Sequence, residues 1–272
     1  MATKRLYILL LIMAFMSCED VIQVDLPTSA PRLVIDASFS VFFNEFPSTI
    51  EGSVILKLSA PFYQEELEPA NNATVFITNT NDGNISQFEE NGDTGIYEPI
   101  EPFDLPNFND EYELTVVYDS ETYKGSVNLI PAVPIDEISQ GEGTLFTGDE
   151  TEVLVKFTDD GSRDDYYLFD LDFDLYLPTE DRFYQGEQFV FSYFYEDLEP
   201  GKEVTITING VDRQFYNYMT ILIDQSGQNG GGPFESVPST IRGNMVNTTN
   251  PDNYPLGYFS LAEANRLSLI IE

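Results

Sequence analysis

The chain has 272 residues, with 47 Asp or Glu against 12 Lys or Arg and a formal net charge of −35. Because a charge of this size repels nucleic-acid phosphates, it argues against nucleic-acid binding. The sequence contains one Cys and no His, which excludes intramolecular disulfides, His-dependent nucleophilic catalysis and the common zinc sites, and leaves carboxylate-only catalysis as an enzyme mechanism.

Residues 1–17 predict a lipoprotein signal peptide. A basic pair, Lys4-Arg5, precedes the apolar run 6–15, which is long enough to direct export but too short to cross a bilayer. The run leads to a small residue, Ser17, directly before Cys18, an arrangement that resembles the lipobox of bacterial lipoproteins. We therefore expect cleavage after Ser17 and lipidation of Cys18, whose acyl chains anchor the mature protein in a membrane.

Residues 18–30 predict a lipidated tether. The acidic pair Glu19-Asp20 follows the Cys directly and resembles the surface-export signals of some bacterial lipoproteins. The predicted location is therefore the outer membrane, with the protein facing the cell surface. Pro27 and Pro31 interrupt regular pairing, so we expect the first strand to begin near Arg32.

Short runs of β type dominate residues 31–131. Their alternation of apolar and polar residues predicts strands with one buried face, and turn-forming segments at 81–84, 91–95 and 118–123 separate them. We predict a seven-strand-type antiparallel sandwich that resembles the immunoglobulin or transthyretin-like class. The predicted strands cover 33–42, 53–59, 73–79, 112–118 and 122–129.

A proline-punctuated segment, 129–134, predicts the boundary to a second β-rich domain at 132–272. The fold class is therefore all-β, with two tandem antiparallel β-sandwich domains. One short helix is expected at about 212–225, because apolar residues recur there at helical spacing and the glycine-rich segment 226–232 ends it. The predicted strands of this region cover 153–157, 166–177, 188–194, 203–208 and 267–271.

An acidic loop at 159–165 is a candidate calcium site. It holds Asp159, Asp160, Asp164 and Asp165 around a glycine, and Ca²⁺ prefers such oxygen ligands. The alternative is a solvated turn, because the EF-hand spacing is missing and a neighbouring Arg adds positive charge.

Asp170, Asp172 and Asp174 alternate with apolar residues, so on one strand their carboxylates would share a face. The pattern predicts either a half-buried strand or an acidic surface neutralised by a cation or a basic partner. Arg242 belongs to a small set of cations in a strongly acidic chain. It is a second candidate for partner or ligand binding, and an internal ion pair is its alternative.

A series of short segments follows the lipobox: 21–26, 31–35, 58–61, 165–167, 200–201, 216–218, 233–234, 242–247 and 256–260. In their order, they resemble a Bacteroidota outer-membrane lipoprotein family catalogued as domain of unknown function 4249, and the closest match is C-terminal. The resemblance implies location more than activity, because the family has no established catalytic residues and its members are often encoded beside TonB-dependent receptors.

These features predict a non-catalytic outer-membrane lipoprotein that acts as an accessory or binding subunit of an envelope complex. The resemblance makes a TonB-dependent receptor, or another outer-membrane barrel protein, the expected partner, and no cofactor is expected apart from possible calcium. One alternative is a structural or assembly factor for outer-membrane proteins. The other is a surface hydrolase, which requires an acidic pair facing each other across a cleft.

Overall fold

The chain folds mainly into β-strands. The computed structural model describes residues 30–61, 64, 66–145, 148, 150–196, 198–226 and 240–272; the predicted signal peptide, Cys18 and the predicted tether up to residue 29 lie outside this set. The described residues form open sheets with one α-helix, so the all-β prediction with one short helix is confirmed. The helix α1 is Arg213–Ser226, and the strands are β1 (Leu33–Phe42), β2 (Thr49–Leu58), β3 (Thr74–Asn79), β4 (Ile85–Glu90), β5 (Ile96–Pro99), β6 (Glu111–Tyr118), β7 (Glu121–Asn128), β8 (Ile135–Gln140), β9 (Thr151–Thr158), β10 (Tyr166–Asp170), β11 (Tyr176–Glu180), β12 (Gln188–Tyr195), β13 (Glu203–Val211), β14 (Val246–Asn247) and β15 (Leu256–Ile270).

Strand β1 shows how the sequence pattern sets the fold. Its alternate residues from Leu33 to Val41 are buried, while Val34, Asp36 and Ser38 point to the opposite face. The predicted strand 33–42 is confirmed. Tight turns then fix the neighbouring pairings, as at Asp119-Ser120, where positive φ values of 48° and 65° form a two-residue hairpin between β6 and β7.

Twelve strands form one sheet in the order β11-β10-β13-β15-β1-β2-β5-β4-β3-β6-β7-β14, and a second sheet has the order β12-β9-β8. Strands β1 and β15 run parallel, with Val34 opposite Leu256. At Gly257 the backbone has φ +92°, and a Cβ there would lie 2.0 Å from the Ile35 carbonyl oxygen. Glycine is therefore required for β15 to approach β1.

The large sheet takes strands from both sides of residue 131. The first half of β15 pairs with β1, and its second half pairs with β13, so residues Pro31–Glu272 form one compact unit. The buried side chains nevertheless fall into two groups. Core 1 contains residues between Leu33 and Leu129 together with Met245, Phe259 and Leu261, whereas core 2 contains residues between Val133 and Ile208 together with Ile271.

The single strand predicted at 166–177 is wrong. It divides into β10 and β11, which form an antiparallel hairpin. Asp172, Phe173 and Asp174 form the turn, with φ values of 67°, 52° and 59°. Asp tolerates this left-handed region better than most residues, so a sequence that alternates like a strand can still reverse direction.

Candidate functional site

Helix α1 covers the face of the large sheet opposite the two cores. Asp212 caps its first turn, because its side chain accepts a hydrogen bond of 2.7 Å from the Phe215 backbone N–H. Phe215 packs with Leu168, Val211 and Tyr258 into a small buried cluster between the helix and the sheet. The predicted helix at 212–225 is therefore confirmed, and its apolar stripe holds it on the sheet.

A cavity of about 500 Å³ lies between α1 and the sheet, within the size range of small-molecule sites. We call this space the helix cavity. Strands β1, β10, β13 and β15 form its floor, and α1 forms its roof. The roof is lined by Phe215, Tyr218, Met219 and Leu222, and the floor includes Val34, Asp36, Ser38, Ser40, Leu168, Asp170, Asn209, Val211, Tyr258, Ser260 and Ala262, with Tyr176 of β11 at the side.

Three aromatic rings from the roof and the floor meet and close one side of the helix cavity as an aromatic wall. The ring centroid of Tyr258 lies 4.7 Å from that of Phe215 and 5.1 Å from that of Tyr218. The Tyr258 hydroxyl lies 3.5 Å from the Asp212 carboxylate. Burial, followed by the charge of Asp212, raises the pKa of Tyr258, so it stays neutral near pH 7.

Two carboxylates line the helix cavity. Asp36 of β1 is exposed to the cavity space, but the protein around it limits its hydration. Burial therefore raises its pKa, partly offset by the Ser38 hydroxyl and the charge of Lys57. Burial also raises the pKa of Asp170 on β10, partly offset by a 2.9 Å hydrogen bond from the Asp172 N–H. Among the described residues that line this cavity, none is Lys or Arg.

The strands that carry Asp36 and Asp170 are separated by β13 and β15. Three interstrand steps correspond to about 14 Å between the two strand axes, and the register places Asp36 opposite Tyr258 but Asp170, through Thr207, opposite Arg266, eight residues further along β15. The paired carboxylates of glycoside hydrolases lie about 5 to 10 Å apart. This spacing suits two separate contacts to a ligand better than a catalytic pair.

The predicted calcium loop is occupied by protein donors. Arg163 binds Asp165 at 2.6 Å and Asp160 at 3.1 Å. The Tyr167 hydroxyl lies 2.7 Å from Asp159 and 2.8 Å from Asp165, so its one proton is shared between these two acceptors. The remaining carboxylate, Asp164, accepts from the Gln185 amide at 3.1 Å. Across the described residues, no group of three or more Asp, Glu or Cys side chains is arranged to hold a metal ion.

The three carboxylates predicted to share one strand face are divided by the β10–β11 turn. Asp170 ends β10 and lines the helix cavity. Asp172 accepts backbone hydrogen bonds from Phe173 at 2.9 Å and from Thr205 at 3.1 Å, which tie the turn to β13. Asp174 completes the turn. Only Asp170 of this set therefore belongs to the candidate site.

Arg242 stacks on an aromatic ring. Its guanidinium carbon lies 3.5 Å from the centroid of Tyr254, and that of Arg32 lies 3.7 Å from the same centroid. Two guanidinium groups this close to one ring must occupy opposite faces. The alternative predicted for Arg242 was an internal ion pair. Among the described residues Arg242 forms no ion pair with a carboxylate, and its contact is the cation–π stacking on Tyr254.

Glu121 organises a loop that the sequence did not single out. Its carboxylate accepts four side-chain hydrogen bonds, and the bond from Tyr123 is the largest cause that lowers its pKa. The loop after β14 is thereby fastened to the β6–β7 hairpin. The donors are Tyr123 at 2.7 Å, Asn247 at 2.9 Å, Asn250 at 3.1 Å and Asn253 at 2.6 Å.

A family model described as Domain of unknown function (DUF4249) matches residues 19–267. The chain belongs to this family. No curated protein matches the DUF4249 chain. In the part of the chain that the structure describes, no helix combines the length and apolar character needed to span a membrane.

Two segments that carry the DUF4249 resemblance meet in space. The Asn244 side-chain amide donates to the Phe259 carbonyl at 2.7 Å and accepts from the Phe259 N–H at 2.8 Å. The Asn244 side chain therefore makes the two backbone hydrogen bonds that a neighbouring strand would make. The resembling segments also supply cavity residues, namely Val34, Tyr218, Gly257, Tyr258 and Ser260. Nothing in the sequence indicated that Asp36 belongs to the site, because a polar residue on the outer face of a strand is ordinary.

Proposed function

We propose that this DUF4249 protein is a lipid-anchored, non-catalytic binding subunit of an outer-membrane complex, with a TonB-dependent transporter as its partner. The observation that carries the binding role is the helix cavity of about 500 Å³, with its aromatic wall and two separated carboxylates. Its size suits a small ligand. The interval of about 14 Å between the strands of Asp36 and Asp170 weighs against the alternative of a carboxylate hydrolase.

The membrane attachment in this proposal rests on the sequence. The apolar run and Ser17-Cys18 support export and lipidation, and the acidic pair after Cys18 supports a position on the cell surface. Confinement to a membrane raises the concentration of the subunit near a barrel partner without any new contact. We further propose that cores 1 and 2 represent two sandwich domains, the first of immunoglobulin or transthyretin-like class, which share the large sheet.

Co-purification tests the proposed partner. The full chain, with an affinity tag after Glu272, is extracted from its native membranes in a mild detergent and analysed by mass spectrometry. We expect a TonB-dependent transporter in near-equal amount. The tagged Cys18→Ala variant is the control, and it should lose both the membrane fraction and the transporter. A wild-type protein that purifies alone under these conditions would contradict the proposed complex.

Depletion separates uptake from the assembly-factor alternative. If the protein serves uptake, its loss impairs growth on one class of nutrient and leaves the outer-membrane protein profile unchanged. If it assists assembly, the profile changes generally and growth fails on all nutrients. Growth curves on single nutrient sources, combined with quantification of outer-membrane proteins, distinguish the two results.

A further inference from the structure

The helix cavity combines aromatic rings with negatively charged side chains, and both favour a positively charged ligand. Tyr218 on the roof and Tyr176 at the side, opposite Asp170, are partly exposed and present aromatic surface to the cavity, whereas Tyr258 is only 3% exposed beneath Phe215 and Tyr218. The faces of such rings attract cations. Asp36 and Asp170 supply negative charge to the same space.

The carboxylates have little compensation from the protein. Asp36 receives a long hydrogen bond of 3.4 Å from Ser38 and is influenced by Lys57, which is not part of the cavity lining. Asp170 is bonded by a backbone N–H and lies near two further carboxylates, Asp172 and Asp174. A bound cation would supply the missing counter-charge in a partly desolvated space, where electrostatic attraction is stronger than in water.

We propose that the helix cavity binds a small organic cation with an apolar body, whose charged group contacts Asp36 or Asp170 and whose body packs against the rings of Tyr218 and Tyr176. This inference names the ligand class of the proposed binding role and rests on it.

A metal ion and an anion fit the helix cavity less well. Asp36 and Asp170 are offset both across and along the sheet, and neither belongs to a group of three or more metal-ligating side chains among the described residues. An anion would meet two negative groups and no described basic side chain in the lining. An apolar body is favoured because Val34, Met219 and Leu222 also line the space, together with the rings.

Three probes that share one aromatic ring test the sign of the charge. The full chain is titrated in detergent at pH 7.5 with 2-phenylethylammonium, 2-phenylethanol and phenylacetate, and heats measured with empty micelles are subtracted. We expect saturable binding of the cation, at least tenfold weaker binding of the alcohol and no binding of phenylacetate. Equal binding of the cation and the alcohol would overturn the proposal, as would a failure of the cation to bind.

Carboxylate variants locate the site. Asp36→Asn combined with Asp170→Asn should weaken binding of 2-phenylethylammonium at least tenfold, and the single variants identify the stronger contact. Asp93→Asn removes an exposed carboxylate from the β4–β5 turn and serves as the matched control. Circular dichroism verifies that each variant is folded. Wild-type affinity in a folded double variant would place the cation elsewhere and overturn the proposal.

Failure of this inference is distinguishable from failure of the proposed complex. If the cation does not bind and the transporter still co-purifies, the ligand class is wrong and the complex stands. If the cation binds the helix cavity and the protein purifies alone, the ligand class stands and the partner is wrong.

Discussion

At the scale of single residues, the Glu121 carboxylate accepts hydrogen bonds from four side chains. Tyr123, Asn247, Asn250 and Asn253 all donate to it. These donors favour the ionised form, so the pKa of Glu121 in the folded protein lies below the ordinary value of 4.5. Its contribution to stability is therefore fully present above the ordinary pKa and is lost as the pH falls through the folded-state pKa.

A Glu121→Gln variant tests this contribution. The substitution keeps the shape of the side chain but removes the charge, and its amide faces other donors. We expect the variant to unfold at lower urea concentration than the wild type at pH 7, and the difference to shrink as the pH approaches 3. Glu89→Gln, at an exposed position of β4, is the control. A difference that does not change with pH would contradict this explanation.

The paired contacts of Arg32 and Arg242 with Tyr254 also belong to this scale. Composition alone marked Arg242 as unusual, because the chain has few basic residues. The shared contact with Tyr254 could not be predicted from the sequence. Arg32 is distant from Arg242 and Tyr254 in the chain, and it reaches the Tyr254 ring only because β1 lies beside β15. The same holds for Asp36, which becomes a cavity residue only when α1 covers β1.

At the scale of elements, α1 depends on its cap. Asp212→Ala removes the side-chain acceptor of the Phe215 N–H, and we expect a loss of about 1 kcal/mol in the free energy of unfolding. Faster hydrogen exchange should appear in the first turn of the helix. Asn217→Ala, at an exposed position within α1, is the control and should leave stability unchanged or slightly higher. Equal urea midpoints for Asp212→Ala and the wild type would contradict this role.

The strands differ in how far the sequence predicts them. Strand β1 has a long, regular alternation, and its predicted bounds are confirmed. Strands β4 and β5 were not predicted, because each is short and has a single buried apolar residue, Phe88 and Tyr97 respectively. The β10–β11 hairpin was missed because its turn is formed by Asp and Phe with positive φ rather than by glycine.

At the scale of the whole molecule, β15 connects the two cores. It lies between β1 and β13 in the large sheet, and Phe259 belongs to core 1 while Ile271, just beyond the strand, belongs to core 2. The sequence predicted two regions divided near residue 131 and a strand at the C-terminus. It did not predict the parallel pairing of β15 with β1, because that contact joins distant segments and leaves no local pattern.

The shared sheet predicts that both cores unfold together. Leu114 in core 1 and Ile206 in core 2 are fully buried. Substituting either one with Ala should lower the free energy of unfolding by about 2 to 5 kcal/mol and shift one common transition, observed by both circular dichroism and Tyr fluorescence. Two separate transitions, with each variant shifting only one, would indicate independent domains instead.

In the proposed function, acyl chains on Cys18 hold a ligand-binding β-protein at the outer membrane. Cells expressing the full chain are grown with an alkyne analogue of palmitate, and the purified protein is coupled to a fluorescent azide. We expect the wild type to carry the label and to fractionate with outer membranes, and Cys18→Ala to lose both properties. An unlabelled wild-type protein, or a Cys18→Ala variant that still fractionates with outer membranes, would contradict this account.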